Sequence, residues 1–307
     1  MAFSANEAAF EGFRIVRREP LTILAWGLVH LVVNAGSVVL FMPLMAPFLA
    51  ATQAEQASPD MPHVMQMVEA MGRFYAIALP VGLIVAAVFT CAVYRAILRP
   101  QEKSFARLRL GGDELRMLGL WILMGLLWIA CCIPVFAVLA IALGVVGALT
   151  KGAGIAAGFL FVAVLYIVML GLLVWLGVRL SLAAPMTFVQ QKVRLFSSWK
   201  LTKGRFWSLF GCYLLAFVFI VILGLVGLTI YGALSVMATG SISAAAQSMF
   251  RPDISSLQAY FSPSRSVYLV FAALLGAVYY AVGIAPAAAA FRALIETSPD
   301  RRAEVFD

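Results

Sequence analysis

The sequence predicts an all-α integral membrane protein in which six transmembrane helices form three sequential hairpins. The first basis is composition: of 307 residues, 64% are hydrophobic and 12% are charged, and the mean hydropathy is +1.00. A water-soluble globule of this size would need more polar surface. The second basis is six apolar runs, each long enough for the roughly 20 residues that cross a bilayer. The third is the gathering of Lys and Arg on alternate connections between these runs.

The N-terminal segment, residues 1–20, predicts a short interfacial helix on the cytoplasmic side. Ser4 and Glu7 have the spacing of a capping box, and Phe10 and Phe13 follow at helical spacing. Basic residues lie among them, as they do in helices that rest on anionic headgroups. We therefore expect an amphipathic helix ahead of the first span.

The rest of this single membrane domain divides into hairpins joined by basic connections. Each hairpin consists of two apolar runs and the connection between them, and the first of these connections, residues 52–73, is polar and rich in methionine. Pro134 predicts a kink or a break in the third span. The predicted boundaries are hairpin 21–95, hairpin 117–179, basic cytoplasmic segment 180–206, hairpin 207–292 and cytoplasmic tail 293–307.

The distribution of positive charge predicts the orientation. If both termini and the connections 95–116 and 179–205 face the cytoplasm, 18 of the 22 Lys and Arg lie there and four lie outside. This asymmetry follows the positive-inside rule, and an odd number of spans would destroy it. We therefore expect six spans with both termini in the cytoplasm.

The stretch Arg179–Trp207 carries the strongest charge signal. It contains six basic residues and no acidic residue, and it lies between two apolar runs. Such a stretch is typical of a membrane surface that carries anionic lipid. The candidate lipid- or anion-binding residues come from this stretch and from the ends of the even-numbered spans: Arg95, Arg179, Arg292, Lys200, Lys203 and Arg205. The alternative is that these side chains are snorkelling anchors without a ligand.

A similar phrase ends each even-numbered span. The copies are Tyr94-Arg95-Ala-Ile-Leu98, Val178-Arg179-Leu-Ser-Leu182 and Phe291-Arg292-Ala-Leu-Ile295. Because two spans separate successive copies, all three would share one orientation, related by rotation about the membrane normal. This predicts a pseudo-threefold bundle with a ring of three arginines at its cytoplasmic rim. The alternative is that any interfacial arginine after an apolar helix produces such a phrase.

The phrase Ser198-Trp199-Lys200-Leu201-Thr202-Lys203-Gly204-Arg205-Phe206-Trp207, preceded by Arg179 and Pro185, resembles the cytoplasmic loop of a broad group of bacterial membrane proteins. That group comprises the membrane domain attached to some glycerophosphoryl diester phosphodiesterases and the related YciC-like inner-membrane proteins. The resemblance implies a multi-pass module of the bacterial inner membrane. It does not imply hydrolase activity, because the chain has no alternating strand and helix pattern that would correspond to the phosphodiesterase barrel.

His30 is the only ionisable side chain in the first apolar run. Ionisable groups inside a membrane are costly, so this residue is a candidate for proton relay or ligand contact. No span supplies a carboxylate partner for it. The alternative is a neutral imidazole that forms a hydrogen bond between helices.

The methionine-rich connection carries soft ligands outside the apolar runs. Met61, His63, Met65 and Met67 are the residue types that a copper(I) site would use. On a helix, however, Met61, Met65 and Met71 share one apolar stripe. We therefore predict no metal site and no cofactor, with copper binding as the alternative.

The sequence indicates no enzyme. It contains no HExxH, GxSxG or P-loop arrangement and no pair of carboxylates in a span. The cysteines, Cys91, Cys131, Cys132 and Cys212, lie within or at the edges of apolar runs, so we interpret them as small apolar side chains and not as a disulfide or zinc framework.

Two nonenzymatic functions are compatible with these features. The first is a lipid-interacting or accessory protein that acts in the envelope or in the assembly of a partner complex. The second is a transporter or channel for a small solute such as an anion. The net charge of +8 does not indicate a nucleic-acid partner, because the cations lie beside apolar runs. The expected partners are membrane phospholipids, especially those with anionic headgroups.

Overall fold

The computed structural model describes residues 4–57, 61–102, 105–149, 154–243, 245–246, 253 and 256–296. These residues are almost entirely helical, and none of them forms a β-strand. The helices are α1 (Ala5–Ala9), α2 (Glu11–Arg18), α3 (Pro20–Ala57), α4 (Met61–Leu98), α5 (Gly112–Leu149), α6 (Gly154–Leu180), α7 (Ala183–Gln190), α8 (Ser198–Thr202), α9 (Phe206–Thr239), α10 (Leu257–Tyr260) and α11 (Pro263–Glu296). A short turn, Phe105–Arg107, lies between α4 and α5.

Six of these helices, α3, α4, α5, α6, α9 and α11, are long and apolar enough to cross a membrane. Backbone N–H and C=O groups find no water inside a bilayer, so a spanning segment must satisfy them within a helix or a closed barrel. The predicted class, an all-α integral membrane protein with six spans, is confirmed. The arrangement in three hairpins and the pseudo-threefold repeat stay predictions.

The segment predicted as the first hairpin contains more helix than its sequence indicates. The predicted polar connection 52–73 is largely helical, because α3 continues to Ala57 and α4 begins at Met61. Once a helix exists, each added residue gains a hydrogen bond, so the helices continue through Ala, Gln, Glu and Met, which are good helix formers. The predicted break near Pro134 is not observed, because α5 is one continuous helix through that residue.

The N-terminal segment forms two short helices that pack against protein. They meet at a turn at Phe10, and Ala9 and Gly12 are buried. The rings of Phe10 and Phe13 lie with their centroids 4.6 and 5.3 Å from that of Phe219 on α9. This face of the predicted interfacial helix is therefore held by the protein.

The chain forms two compact units. Unit 1 is built around residues 110–213 with the end of α11 from Ala287. Unit 2 is built around residues 6–109 with residues 214–286 of α9 and α11.

In unit 2, α9 and α11 are antiparallel neighbours. Residue numbers rise along α9 as they fall along α11 in successive contacts, and glycines let the two helices approach closely. The contacts are Ile220 with Gly283, Gly224 with Tyr279, Gly227 with Leu275 and Tyr231 with Tyr268.

The same part of α11 presents a column of small side chains. Ala273, Ala277, Ala281 and Ala285, spaced four residues apart, are each at most 1% exposed. Next to this column, α2 approaches so closely that a Cβ atom on Gly12 would lie 2.5 Å from the Cα of Val282. Lipid is as apolar as these side chains, so close van der Waals packing and not exclusion from water holds the helices together.

A left-handed turn at residues 105–107 is held by three side chains of unit 2. Ala106 and Arg107 have φ values of 49° and 58°, which non-glycine residues rarely adopt. The indole Nε1 of Trp26 donates to the carbonyl of Ala106 over 2.7 Å, and Nη1 of Arg95 donates to the carbonyl of Arg107 over 3.0 Å. Arg107 in turn donates from Nε and Nη2 to the two carboxylate oxygens of Glu19, over 2.8 and 2.5 Å. These bonds connect the start of α3, the end of α4 and the turn.

In unit 1, α5 packs against α6 and α7, and α6 packs against α8. The predicted basic segment 180–206 therefore contains a buried part, because every residue of α7 from Ala183 to Phe188 is buried. A left-handed residue, Gln191 with φ 55°, ends α7. Gly204, with φ 76°, makes the turn between α8 and α9, a conformation that glycine adopts without strain.

We predict that Gly12→Ala destabilises the protein. The new methyl group would meet the backbone of Val282 and the carbonyl of Ala281, which cannot rotate away, and such overpacking costs about 1–3 kcal/mol. Thermal unfolding in detergent should show a lower midpoint. Gly36→Ala is the matched control, because its Cβ would have no neighbour within 4 Å. Equal midpoints for the two variants would contradict the described packing of α2.

A second prediction concerns acid stability. The hydrogen-bonded guanidinium of Arg107 holds the pKa of Glu19 below its ordinary value of 4.5, against the opposing effect of partial burial. The ion pair therefore stabilises the fold above that pH, and its contribution is lost as the pH falls through the lowered pKa. Glu19→Gln should reduce the midpoint at pH 7 by roughly 2–4 °C and should flatten the loss of stability between about pH 5 and pH 3. A variant as acid-sensitive as the wild type would refute this role.

Candidate functional site

The candidate site lies at the end of unit 1 where α6 ends and α9 begins, and Arg179 is at its centre. Arg179 follows Trp175 by four residues, so the two side chains share one face of α6. Trp199 of α8 contributes a second indole. The guanidinium carbon of Arg179 lies 5.5 Å from the ring centroid of Trp175 and 5.7 Å from that of Trp199. The cation is therefore stabilised by two aromatic rings, which themselves meet edge to face at 5.2 Å.

The backbone of Arg179 anchors α8. Its carbonyl belongs to the last turn of α6, where carbonyls have no partner within the helix. The hydroxyl of Ser198 lies 3.0 Å from this oxygen, and the hydroxyl of Thr202 lies 3.3 Å from it. Both hydroxyl residues are fully buried. The end of α6 is thus capped by side chains that also place Trp199 beside the guanidinium.

The guanidinium itself has spare hydrogen-bonding capacity. Its Nε and Nη1 atoms are buried and have no hydrogen-bond partner within the part of the chain that the structure describes. None of the described carboxylates lies within ion-pair distance of it. A buried donor without an acceptor costs roughly 1–3 kcal/mol. An incoming phosphate or carboxylate oxygen would remove that cost. Arginine binds phosphate and carboxylate groups well, because two of its N–H groups can donate to two oxygens at once.

The connection from residue 191 to residue 205, here called the basic connection, joins α7 to α9 and is positively charged. No acidic residue occurs in it. Its side chains form no ion pair among the described residues. Phe196 is 61% exposed, and Trp207, just beyond the basic connection, is 78% exposed. Exposed aromatic rings next to exposed cations are typical of the membrane interface. The basic residues are Lys192, Arg194, Lys200, Lys203 and Arg205.

The other two arginines of the predicted ring have different surroundings. Arg95 is 1% exposed and donates to the backbone of the 105–107 turn. A headgroup could not reach it without displacing that turn. Arg292 is partly exposed near the end of α11. The three arginines are therefore not equivalent in burial, although their sequence phrases are alike.

His30 lies in unit 2 and packs between helices. Its Nδ1 is 3.3 Å from the carbonyl of Ala273 on α11, so the tautomer that carries hydrogen on Nδ1 forms this bond. Its ring meets those of Phe89 and Tyr280 edge to face, at 6.1 and 5.6 Å. It also covers Gly276, where a Cβ atom would overlap the imidazole. These contacts are those of the predicted interhelical hydrogen bond.

The proposed soft-metal ligands lie mostly outside the described side chains. The side chains of Met61, His63 and Met67 are outside the described part of the structure, whereas the side chain of Met65 is described and is 65% exposed. Of the cysteines, Cys91 and Cys212 are buried and the other two are partly exposed, and all four are free thiols.

The sequence interpretation did not identify three residues that build the site. Trp175 had a usable signal, because its spacing of four from Arg179 predicts a shared helix face. Ser198 and Thr202 share that spacing, but their acceptor lies on another helix and has no local signature.

Comparison with protein-family models, curated proteins and solved structures finds no match to the chain. The fold alone therefore defines the class: the protein is an all-helical, multi-pass membrane protein.

We predict that the two hydroxyls keep α8 docked. Ser198→Ala combined with Thr202→Val removes both hydroxyls that lie near the Arg179 carbonyl, and loss of the shorter hydrogen bond, from Ser198, costs about 1 kcal/mol. Limited trypsin digestion should then cut faster after Lys200 and Lys203. Ser197→Ala is the control, because Ser197 makes no side-chain cap bond. Unchanged cleavage in the double variant would show that other contacts hold α8.

Proposed function

We propose that this membrane protein binds anionic phospholipid headgroups at Arg179 and the basic connection, and that it acts as a lipid-interacting accessory protein of the bacterial inner membrane. The observation that carries the proposal is the guanidinium beside Trp175 and Trp199, with two buried donors that lack an acceptor among the described residues. A headgroup phosphate supplies the charge and the oxygen atoms that these donors require.

The basic connection supports the same ligand. Each Lys or Arg near an anionic membrane surface contributes about 1 kcal/mol to its attraction, and no carboxylate within the connection neutralises this charge. Arg179 would recognise one headgroup, while Lys200, Lys203 and Arg205 would hold the surrounding anionic lipids. The proposal places this surface on the cytoplasmic side, in accord with the positive-inside distribution. The proposed activity is binding and not catalysis.

Native mass spectrometry of the full-length protein with added phosphatidylglycerol or phosphatidylcholine tests the proposal. Arg179→Gln removes the charge and should lower phosphatidylglycerol binding about tenfold, as loss of a charge-assisted hydrogen bond requires. Arg179→Lys keeps the charge but loses the planar fork, so its affinity should be intermediate. Phosphatidylcholine should bind weakly to all variants.

Arg73→Gln provides the charge-matched control. Arg73 is exposed and paired with Glu69 over 2.6 Å, away from the basic connection in sequence and in the other unit. It should bind phosphatidylglycerol as the wild type does. Equal losses in Arg73→Gln and Arg179→Gln, or none in either, would overturn the assignment of the headgroup to Arg179.

A further inference from the structure

Unit 2 contains a cavity of about 380 Å³ that shares no residue with the Arg179 site. It is lined by residues 34–42 of α3, by Phe74 of α4, by Tyr260 of α10 and by residues 265–272 in the first turns of α11. Its size falls within the roughly 300–1,000 Å³ of small-molecule sites. Its walls combine one cation, several polar groups and apolar side chains.

The cation of this cavity is Arg265, which is held by aromatic rings. Its guanidinium carbon lies 4.3 Å from the ring centroid of Tyr268 and 5.3 Å from that of Tyr260, and all three residues line the cavity. These ring contacts hold the guanidinium at the wall of the cavity. Arg265 is the sole charged residue among the described residues that line the cavity.

Neutral polar groups of α3 line the same space. Asn34 and Ser37 are three residues apart, so they lie on one face of the helix. An amide and a hydroxyl can both donate to an anionic oxygen, and no carboxylate occurs among the described lining residues. The electrostatic character of this part of the cavity therefore favours an anion over a cation.

The remaining walls are apolar. Phe41 of α3 and Phe74 of α4 form an aromatic pair with centroids 5.2 Å apart, and both line the cavity with Met42 and Leu269. A small, strongly hydrated anion such as chloride would leave this surface without a partner. A ligand with an apolar body would cover it and gain roughly 25 cal/mol for each Å² buried.

We propose that this cavity binds an amphipathic organic anion: a carboxylate or phosphate group at Arg265, Asn34 and Ser37, joined to a short apolar body that packs on Phe41 and Phe74. Both parts of this ligand have a complement on the walls, which makes the assignment specific. Such a molecule can be a lipid of the bilayer or a soluble acid, and the chemistry that recognises it is the same. This inference does not depend on the proposed headgroup site.

The test uses the full-length protein in nanodiscs of phosphatidylcholine, with 8-fluorooctanoate as a probe detected by ¹⁹F NMR and empty nanodiscs as the blank. Wild-type protein should bind the probe saturably, and octanamide, which has the same body but no charge, should not compete. Arg265→Gln should weaken binding at least tenfold. Arg73→Gln, which removes a cation of unit 2 that does not line the cavity, should stay within twofold.

A second pair of variants tests the volume independently of the charge. Ala272 lines the cavity, so Ala272→Leu should fill it and weaken binding at least tenfold. Ala76→Leu makes the same change at an exposed position of α4 and should have no effect. This pair also keeps the test valid if Arg265→Gln fails to fold.

Dihexanoyl phosphatidic acid distinguishes the two sources of the ligand. If it displaces the probe or binds where octanoate does not, a membrane lipid is the favoured occupant, and if octanoate alone binds, a soluble acid is favoured. The proposal is overturned if neither ligand binds saturably, if both arginine variants weaken binding equally, or if Ala272→Leu binds as tightly as Ala76→Leu.

Discussion

The constraint on which this structure depends is that a bilayer offers no water to backbone groups. Six long helices satisfy that constraint along their length, but their last carbonyls and the connecting turns still need donors. The structure supplies these donors from side chains: Trp26 and Arg95 donate to the left-handed turn at 105–107, and Ser198 donates to the end of α6. The acceptor of each of these bonds lies at a helix end or in a connecting turn.

The contrast between Arg95 and Arg179 shows how one sequence phrase can serve two purposes. Both arginines occupy the end of an even-numbered span, with similar neighbours in sequence. Arg95 has a structural role, because the turn at 105–107 folds back over it and accepts its hydrogen bond. Arg179 instead has its carbonyl capped and its guanidinium beside two indoles, with two buried N–H donors that have no acceptor among the described residues. The connection that follows each helix therefore decides whether its arginine is structural or available.

Small residues allow the helices to pack closely in apolar surroundings. Because lipid competes equally well for large apolar side chains, helices gain from contact only when their backbones come close. The alanine column of α11 and the glycine contacts of α2 and α9 provide such closeness in unit 2. His30 belongs to the same arrangement, since Gly276 makes room for its ring. An ionisable residue within a span is here also a packing residue.

The sequence by itself determined the class, the number of spans and most of their boundaries, because the length and hydropathy of a spanning helix are properties of a continuous segment. It also indicated the basic character of the connection before α9 and an interhelical place for His30. Only the tertiary structure decided that Trp26 and Arg95 are buried under a turn, that α7 is buried within a segment expected to be basic surface, and that Arg265 lines a cavity with Asn34. In each of these cases the partner lies on another element, often far along the chain, as Ala106 is from Trp26. Local sequence periodicity does not predict such pairs, because only the packing of distant helices brings them together.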